Sequence, residues 1–111
     1  MLKIGWSRRD VSIDEPVNIP GQFRVRLSKG ILDPIMVNCL VMEDGEDVAI
    51  FMSGDFVSGR NIIDLIREKL RAARPDIPTE KVLFNITHTH CGAGLDKDPL
   101  GLYNIDVKNQ E

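Results

Sequence analysis

The sequence predicts an α/β domain: a mixed β-sheet that combines a β-hairpin with a βαβ crossover and carries one main amphipathic helix. Three observations favour this fold class. Two apolar runs flank an acidic turn that contains Asp44-Gly45, the strongest short hairpin signal. A helical period follows the second run, and a third apolar run follows the helix. A strand–helix–strand order implies a crossover, which is right-handed in almost all proteins and makes its two strands parallel.

The composition is that of one small globular domain. The chain has 111 residues, 42% of them hydrophobic and 28% charged, and a formal net charge of -3. This length suffices for a single domain. The acidic balance argues against a nucleic-acid partner, which usually selects a basic face. The local basic residues on the predicted helix are interpreted as a solvated face: Arg67, Lys69, Arg71 and Arg74.

The N-terminal sequence and the cysteines indicate the cellular compartment in which the protein is expected. No long apolar segment of a secretory signal opens the sequence, and no window reaches the length of a membrane span. The two cysteines, Cys39 and Cys91, do not require a disulfide. We therefore expect a cytoplasmic protein without a transmembrane segment.

The first thirty residues carry weak signals. Residues 2–6 predict a short strand, and Trp6 within them is expected to be a packing residue rather than a recognition residue. Residues 8–20 mix charges with prolines and predict a loop. Residues 21–30 alternate apolar and polar side chains, which permits either a strand with one charged face or a long binding loop.

Three apolar runs predict the main strands. Residues 35–42 form the first strand of the hairpin. Residues 48–52 are apolar throughout, which is typical of a central strand buried on both faces. Residues 82–86 predict a second buried strand that closes the crossover.

One helix is expected between these last two strands, over about residues 60–73. Leu65 lies off its apolar stripe, and Pro75 and Pro78 end the helix. The stripe consists of Ile62, Ile63, Ile66, Leu70 and Ala73. We expect the α/β region to span residues 1–94. Residues 95–111 form a polar tail without a strong period, and the sequence leaves open whether this tail is ordered.

Both histidines of the chain lie in one short segment, residues 85–92, with the sequence Asn-Ile-Thr-His-Thr-His-Cys-Gly. In an extended segment residues i and i+2 point to the same side, so His88 and His90 are predicted to present their imidazoles together. Ligands of open α/β sheets bind outside the carboxyl ends of parallel strands. Asp55 follows the neighbouring strand, so one carboxylate and two imidazoles are expected to converge on one edge.

The His-x-His pattern alone leaves metal binding and ordinary hydrogen-bonded histidines both open. Zinc needs three or four protein ligands. The imidazoles supply two at most, and the rest would come from Asp55, Asp96, Cys91 or residues outside this chain. Asp55 can equally cap the loop after its strand. Cys91 can be a thiolate ligand, although a small buried residue is the preferred interpretation, and Gly92 should allow close backbone approach.

These residues also carry a family resemblance. Residues 87–92 resemble the Thr-His-Thr-His-Ser-Gly-Pro motif of the neutral/alkaline (non-lysosomal) ceramidase family. Residues 30–35, Gly-Ile-Leu-Asp-Pro-Ile, look like its Gly-Ile-His-Asp-Pro-Leu element, and residues 41–45 and 50–55 follow in the family's order. The resemblance covers roughly residues 1–94, and its most specific part is the histidine pair with its flanks.

The resemblance implies a zinc amidase, since this family splits the N-acyl bond of ceramide into sphingosine and a fatty acid. It implies that His88 holds Zn²⁺ and that His90 polarises the amide or contacts its oxyanion. Asp55, Thr87 and Cys91 would surround and support them. The implied partner is a small-molecule or lipid amide substrate, and a homo-oligomer is left open.

Several positions depart from the family pattern. Cys91 replaces the usual Ser, Ala93 stands at the Pro position, and Leu32 stands where the family often has His. The family's further zinc ligands (another His, a Glu and a Tyr) and its substrate-binding arginine lie beyond the matched region. The chain therefore resembles an N-terminal fragment or a truncated homologue that is incomplete as a catalyst.

Two other functions stay open at this point. One is a non-catalytic α/β module whose histidines are structural or bind a metal without turnover. The other is a hydrolase of the same fold that acts on a different amide or ester. The absence of a signal sequence favours the latter over a true ceramidase, because family members are often secreted or membrane-associated.

Overall fold

The computed structural model describes residues 1–22, 26–59 and 62–95. Its elements are the strands β1 (Lys3–Asp10), β2 (Met36–Glu43), β3 (Val48–Gly54) and β4 (Val82–Ile86), the helix α1 (Ile62–Ala73), and a 3-10 turn (Thr79–Lys81) that leads into β4. The four strands form one mixed sheet, and α1 connects β3 to β4. The predicted α/β fold class is confirmed.

The strands lie in the order β1-β2-β3-β4. β2 pairs antiparallel with both β1 and β3, whereas β3 and β4 are parallel. Gly45 has a φ of 64° in the turn between β2 and β3, a conformation that glycine adopts without steric cost. The predicted hairpin and the predicted parallel pair are therefore both present.

The two faces of the sheet differ. Val82 and Ile50 are 0% and 8% exposed, on the face where α1 covers the sheet. On the opposite face one side chain from each strand lies in register across the sheet, and this set is called the apolar row. Its members are Trp6, Leu40, Phe51 and Leu83, with exposed fractions of 80%, 38%, 40% and 54%.

The apolar row contradicts three expectations. β3 is central in the sheet, but it is not buried on both faces, because α1 covers one face and Phe51 on the other face is exposed. Leu83 shows the same for the predicted buried strand β4. Trp6 is an exposed side chain and not the packing residue that was expected.

The main core cluster lies beside the carboxyl ends of β3 and β4. Its buried members are Val17, Phe56, Ile62, Ala93 and Leu95. Leu65 and Ile66 also pack against this cluster. The expectation that Leu65 lies off the packed face is wrong, because a residue three positions after Ile62 returns to the same side of a helix. Leu95 is buried in this cluster, whereas the rest of the predicted tail lies outside the described residues.

The N-terminal third differs most from the prediction. β1 continues to Asp10, beyond the predicted end at residue 6, because it pairs with β2 along its whole length, from Lys3↔Glu43 to Asp10↔Met36. Residues 17–22 and 26–28, here together called the 17–28 loop, are joined by an isolated antiparallel bridge between Asn18 and Leu27. For residues 21–30 the described positions form no regular strand, and residues 23–25 lie outside the described residues.

Within the described part of the chain, no helix has both the length and the apolar surface that crossing a bilayer requires.

Candidate metal and catalytic site

The site lies where β3 and β4 end. Gly54 and Ile86 are partners in the parallel pair, and the Thr87 amide donates to the Gly54 carbonyl at 3.0 Å. The pairing therefore brings the segment after β3 against the segment that carries both histidines. The Thr87 hydroxyl lies 3.3 Å from Asp55 Oδ1. The predicted convergence of the two strand ends is present.

His88 has a fixed orientation. Its Nδ1 lies 2.6 Å from the Val57 carbonyl oxygen. Because a carbonyl only accepts, Nδ1 carries the hydrogen and donates, so Nε2 of the neutral ring keeps its lone pair. Metal-binding histidines commonly donate their second ring nitrogen to a backbone carbonyl in this way, which fixes both tautomer and ring direction.

The two imidazoles meet edge to face. His90 Nε2 lies 3.2 Å from His88 Nε2, with the ring centroids 4.8 Å apart and the ring planes at 87°. Because His88 Nε2 is an acceptor, His90 Nε2 carries a hydrogen and donates to it. The two rings are together as predicted, but the segment is not extended, since His88 has a φ of 58° in the left-handed region.

The nitrogen pair fits two corners of a zinc site. Two nitrogens bound to tetrahedral zinc at about 2.0–2.1 Å lie about 3.3 Å apart. The observed separation of His88 Nε2 and His90 Nε2 is 3.2 Å. Zinc binding by both rings requires the His90 Nε2 hydrogen to leave first. Alternatively, His88 alone is a ligand and His90 keeps its hydrogen for a substrate oxygen.

Further ligands do not come from the neighbouring acids or thiol. Among residues 1–22, 26–59 and 62–95, no group of three or more His, Cys, Asp or Glu side chains is placed to hold a metal ion. Asp55 instead accepts from the Met36 amide at 3.2 Å and from Thr87 at 3.3 Å, and so supports the loop. Asp96 lies outside the described residues.

Cys91 and Gly92 complete the turn after the histidines. Cys91 is exposed, so the expectation of a small buried residue is wrong there. Its amide donates to the Thr89 hydroxyl at 3.3 Å. A Cβ at Gly92 would lie 2.6 Å from the Asp55 carbonyl oxygen. The predicted close backbone approach is therefore present, and it holds the histidine segment against the end of β3.

A cavity of about 410 Å³ lies beside this turn. Most of its wall is apolar and includes Val11, Ile13, Val17, Ile31, Leu32 and Phe56. Asp55, Thr89 and Cys91 form part of its polar side, whereas the two imidazoles lie outside its lining. The sequence gives little sign of this cavity, because its wall comes from loops without a period.

Comparison with known proteins adds no assignment. No protein-family model matches the chain, and no curated protein matches it. The functional proposal therefore rests on the geometry of the histidine pair and its surroundings.

Proposed function

We propose that this chain is the metal-binding N-terminal part of a zinc-dependent amidohydrolase that resembles neutral ceramidase and hydrolyses an N-acyl amide bond. The observation that carries the proposal is the 3.2 Å separation between the two Nε2 atoms. The His88 Nδ1 bond to Val57 supports it, because it leaves a lone pair on His88 Nε2, where a metal ion would take the place of the His90 hydrogen.

Each side chain then has a role. His88 would hold Zn²⁺ through Nε2. A bound zinc ion supplies an acidified water and Lewis-acid polarisation of a carbonyl. His90, through its Nε2 hydrogen, donates to the amide oxygen as negative charge develops on it. Asp55 and Thr87 hold the two strand ends together, so the two rings keep their spacing.

The cavity supports a substrate with an apolar acyl group. Its volume of about 410 Å³ falls within the range of small-molecule sites, about 300–1,000 Å³. Its polar side carries Thr89 and Cys91, which flank His90 in sequence. An acyl chain in this cavity would place its amide at the turn that bears the imidazoles.

The proposed catalyst is incomplete within the described residues. Those residues offer two imidazole nitrogens, whereas a catalytic zinc site has three protein ligands. With His88 as the ligand and His90 reserved for the substrate oxygen, two further ligands would come from residues outside the described ones, from a longer polypeptide, or from a partner subunit in a homo-oligomer.

A second candidate is a non-catalytic α/β module with structural histidines. A separation of 3.2 Å also falls within the range of an ordinary N–H hydrogen bond. In that case the pair would simply hold the turn in place.

A third candidate is a hydrolase of the same fold that acts on a different amide or an ester. It would keep the zinc site and differ only in its substrate.

Zinc titration of the metal-free protein, in competition with a chromophoric chelator, separates a metal site from a structural pair. We expect binding by the wild type and at least about tenfold weaker binding by His88→Asn. Asparagine is chosen because it tolerates the left-handed backbone of His88. Glu68→Gln, on the exposed side of α1, is the control. Equal affinity in the wild type and His88→Asn would contradict the proposal.

Substrate class is tested with fluorogenic N-acyl amides of increasing acyl length beside matching esters, using zinc-loaded protein. We expect the amides with longer apolar acyl groups to bind more tightly than the shorter amides and than the matching esters. Preferential turnover of esters would instead favour the hydrolase of different specificity.

A further inference from the structure

The 17–28 loop reaches across the molecule to His90. Its two ends are joined by backbone hydrogen bonds of 2.9 Å, from the Ile19 amide to the Arg26 carbonyl and from the Ser28 amide to the Val17 carbonyl. The Ser28 hydroxyl also accepts from the Val17 amide at 2.9 Å. Val17 itself is buried in the core cluster. The base of the loop is therefore anchored on the body of the domain.

Arg26 ties this loop to the histidine segment. Its Nη2 donates to the His90 carbonyl at 2.7 Å and to the Pro20 carbonyl at 3.2 Å. One guanidinium nitrogen thus bridges two segments that are 64 residues apart in sequence. A side chain that holds the His90 carbonyl restricts the backbone from which the imidazole extends.

Gly21 confines the imidazole itself. A Cβ at Gly21 would lie 2.9 Å from His90 Nδ1 and 3.2 Å from its Cε1. The φ of Gly21 is 99°, a value that L side chains rarely adopt. The ring of His90 therefore packs directly on bare backbone, with His88 at its opposite nitrogen.

We propose that the 17–28 loop is a clamp that sets the position of His90, with Gly21 and Arg26 as positioning residues. Arg26 fixes the backbone of His90, Gly21 blocks one side of its ring, and His88 meets its Nε2. The catalytic consequence rests on the proposed amidase function, because such sites need side chains held within about 0.5 Å of the productive position. The positioning itself is a property of the metal-free protein.

The clamp predicts a difference between two glycines with similar backbone conformations. Gly45→Ala introduces a side chain at a φ of 64° in open space, whereas Gly21→Ala adds a contact with His90. We expect Gly45→Ala to lower stability without changing the imidazole ¹⁵N signals of the metal-free protein. Gly21→Ala should shift the His90 signals and weaken the coupling between the two rings. Wild-type imidazole signals in a folded Gly21→Ala protein would overturn the clamp.

Arg26 is tested by a matched pair of arginine variants. Arg71 Nη2 donates to the Thr79 hydroxyl at 2.9 Å, away from the histidines, so Arg71→Ala loses a comparable hydrogen bond elsewhere. We expect Arg26→Ala to shift the His90 imidazole ¹⁵N signals of the metal-free protein, with partial recovery in Arg26→Lys and wild-type signals in Arg71→Ala. Unchanged His90 signals in a folded Arg26→Ala protein would contradict its positioning role.

The two proposals fail differently. A wild type that binds no zinc removes the amidase proposal, yet the ¹⁵N comparison of the two glycine variants still decides on the clamp. Wild-type His90 signals in both folded variants, Gly21→Ala and Arg26→Ala, remove the clamp, and zinc binding by the wild type then leaves the metal site intact.

Discussion

His88 meets three geometric conditions at one residue. Its φ of 58° turns the chain after β4, its Nδ1 donates to Val57, and its Nε2 meets His90. A single left-handed residue is a modest cost that surrounding contacts can support, and such residues concentrate at functional sites. The turn, rather than an extended strand, brings the two imidazoles together.

Gly92 lies too close to the backbone of Asp55 to accommodate a side chain. A Cβ there would lie 2.6 Å from a backbone oxygen, whereas Gly30 has nothing within 4 Å. We expect Gly92→Ala to lower the free energy of unfolding by about 2 kcal/mol or more, since overpacking forces the backbone to shift. Urea denaturation measures the difference, and Gly30→Ala is the control, with an expected change near zero. Similar losses in both variants would show that the contact with Asp55 is not decisive.

The two thiols should differ in reactivity. Cys91 is exposed, whereas Cys39 is half-buried on β2 and its burial raises the pKa of its thiol. The thiolate is the reactive form, so Cys39 should react more slowly with a disulfide reagent at neutral pH. We expect two kinetic phases, the faster of which disappears in Cys91→Ser. A single phase, or loss of the slower one, would contradict the structure.

At the scale of elements, β4 has one packed side and one open side. Val82 is 0% exposed and its neighbour Leu83 is 54% exposed. We expect Val82→Ala to cost about 2 kcal/mol of unfolding free energy, because two buried methyl groups leave a cavity. Leu83→Ala should cost well under half of that. Thermal or urea unfolding of the two variants compares them directly, and equal losses would mean that the apolar row is covered in solution.

The sequence predicts these elements unevenly. Continuous apolar runs locate β2, β3 and β4 to within two residues, although burial of one face requires apolar side chains only at alternate positions. β1 is predicted too short, because its last residues are charged and only the pairing with β2 keeps them extended. At the site, the sequence predicts that the two imidazoles lie together, but it attributes this to an extended segment and not to the turn at His88. The contacts of Gly21 and Arg26 with His90 are not predicted, because they join distant segments.

For the whole molecule, acid sensitivity comes from exposed carboxylates. The pKa of Asp47 is lowered by its hydrogen bond with Lys81, and that of Asp76 by its hydrogen bonds with Arg74. The Ser12 hydrogen bonds lower the pKa of Asp10. Each carboxyl group favours its charged form in the folded state. Its contribution to the free energy of unfolding is therefore present at pH values above its ordinary pKa of 3.8. This contribution is lost as the pH falls through the lowered pKa of the folded state.

We therefore expect the urea midpoint to be lower at pH 3 than at pH 7, by a small amount because these pairs are solvent-screened. Asp76→Asn should reduce this pH dependence, and raised salt should reduce it further. Glu68→Gln, on the exposed side of α1, is a control that removes a carboxylate outside these hydrogen bonds. An Asp76→Asn protein with an unchanged pH profile would contradict the assigned cause.

The position of Trp6 makes its intrinsic fluorescence a probe of the exposed face of the sheet. It is the one tryptophan of the sequence and is 80% exposed at the edge of the apolar row. Its emission should therefore resemble that of indole in water and change little when circular dichroism reports unfolding. A blue-shifted maximum in the native protein would instead reveal that another surface has settled over the outer side of the sheet.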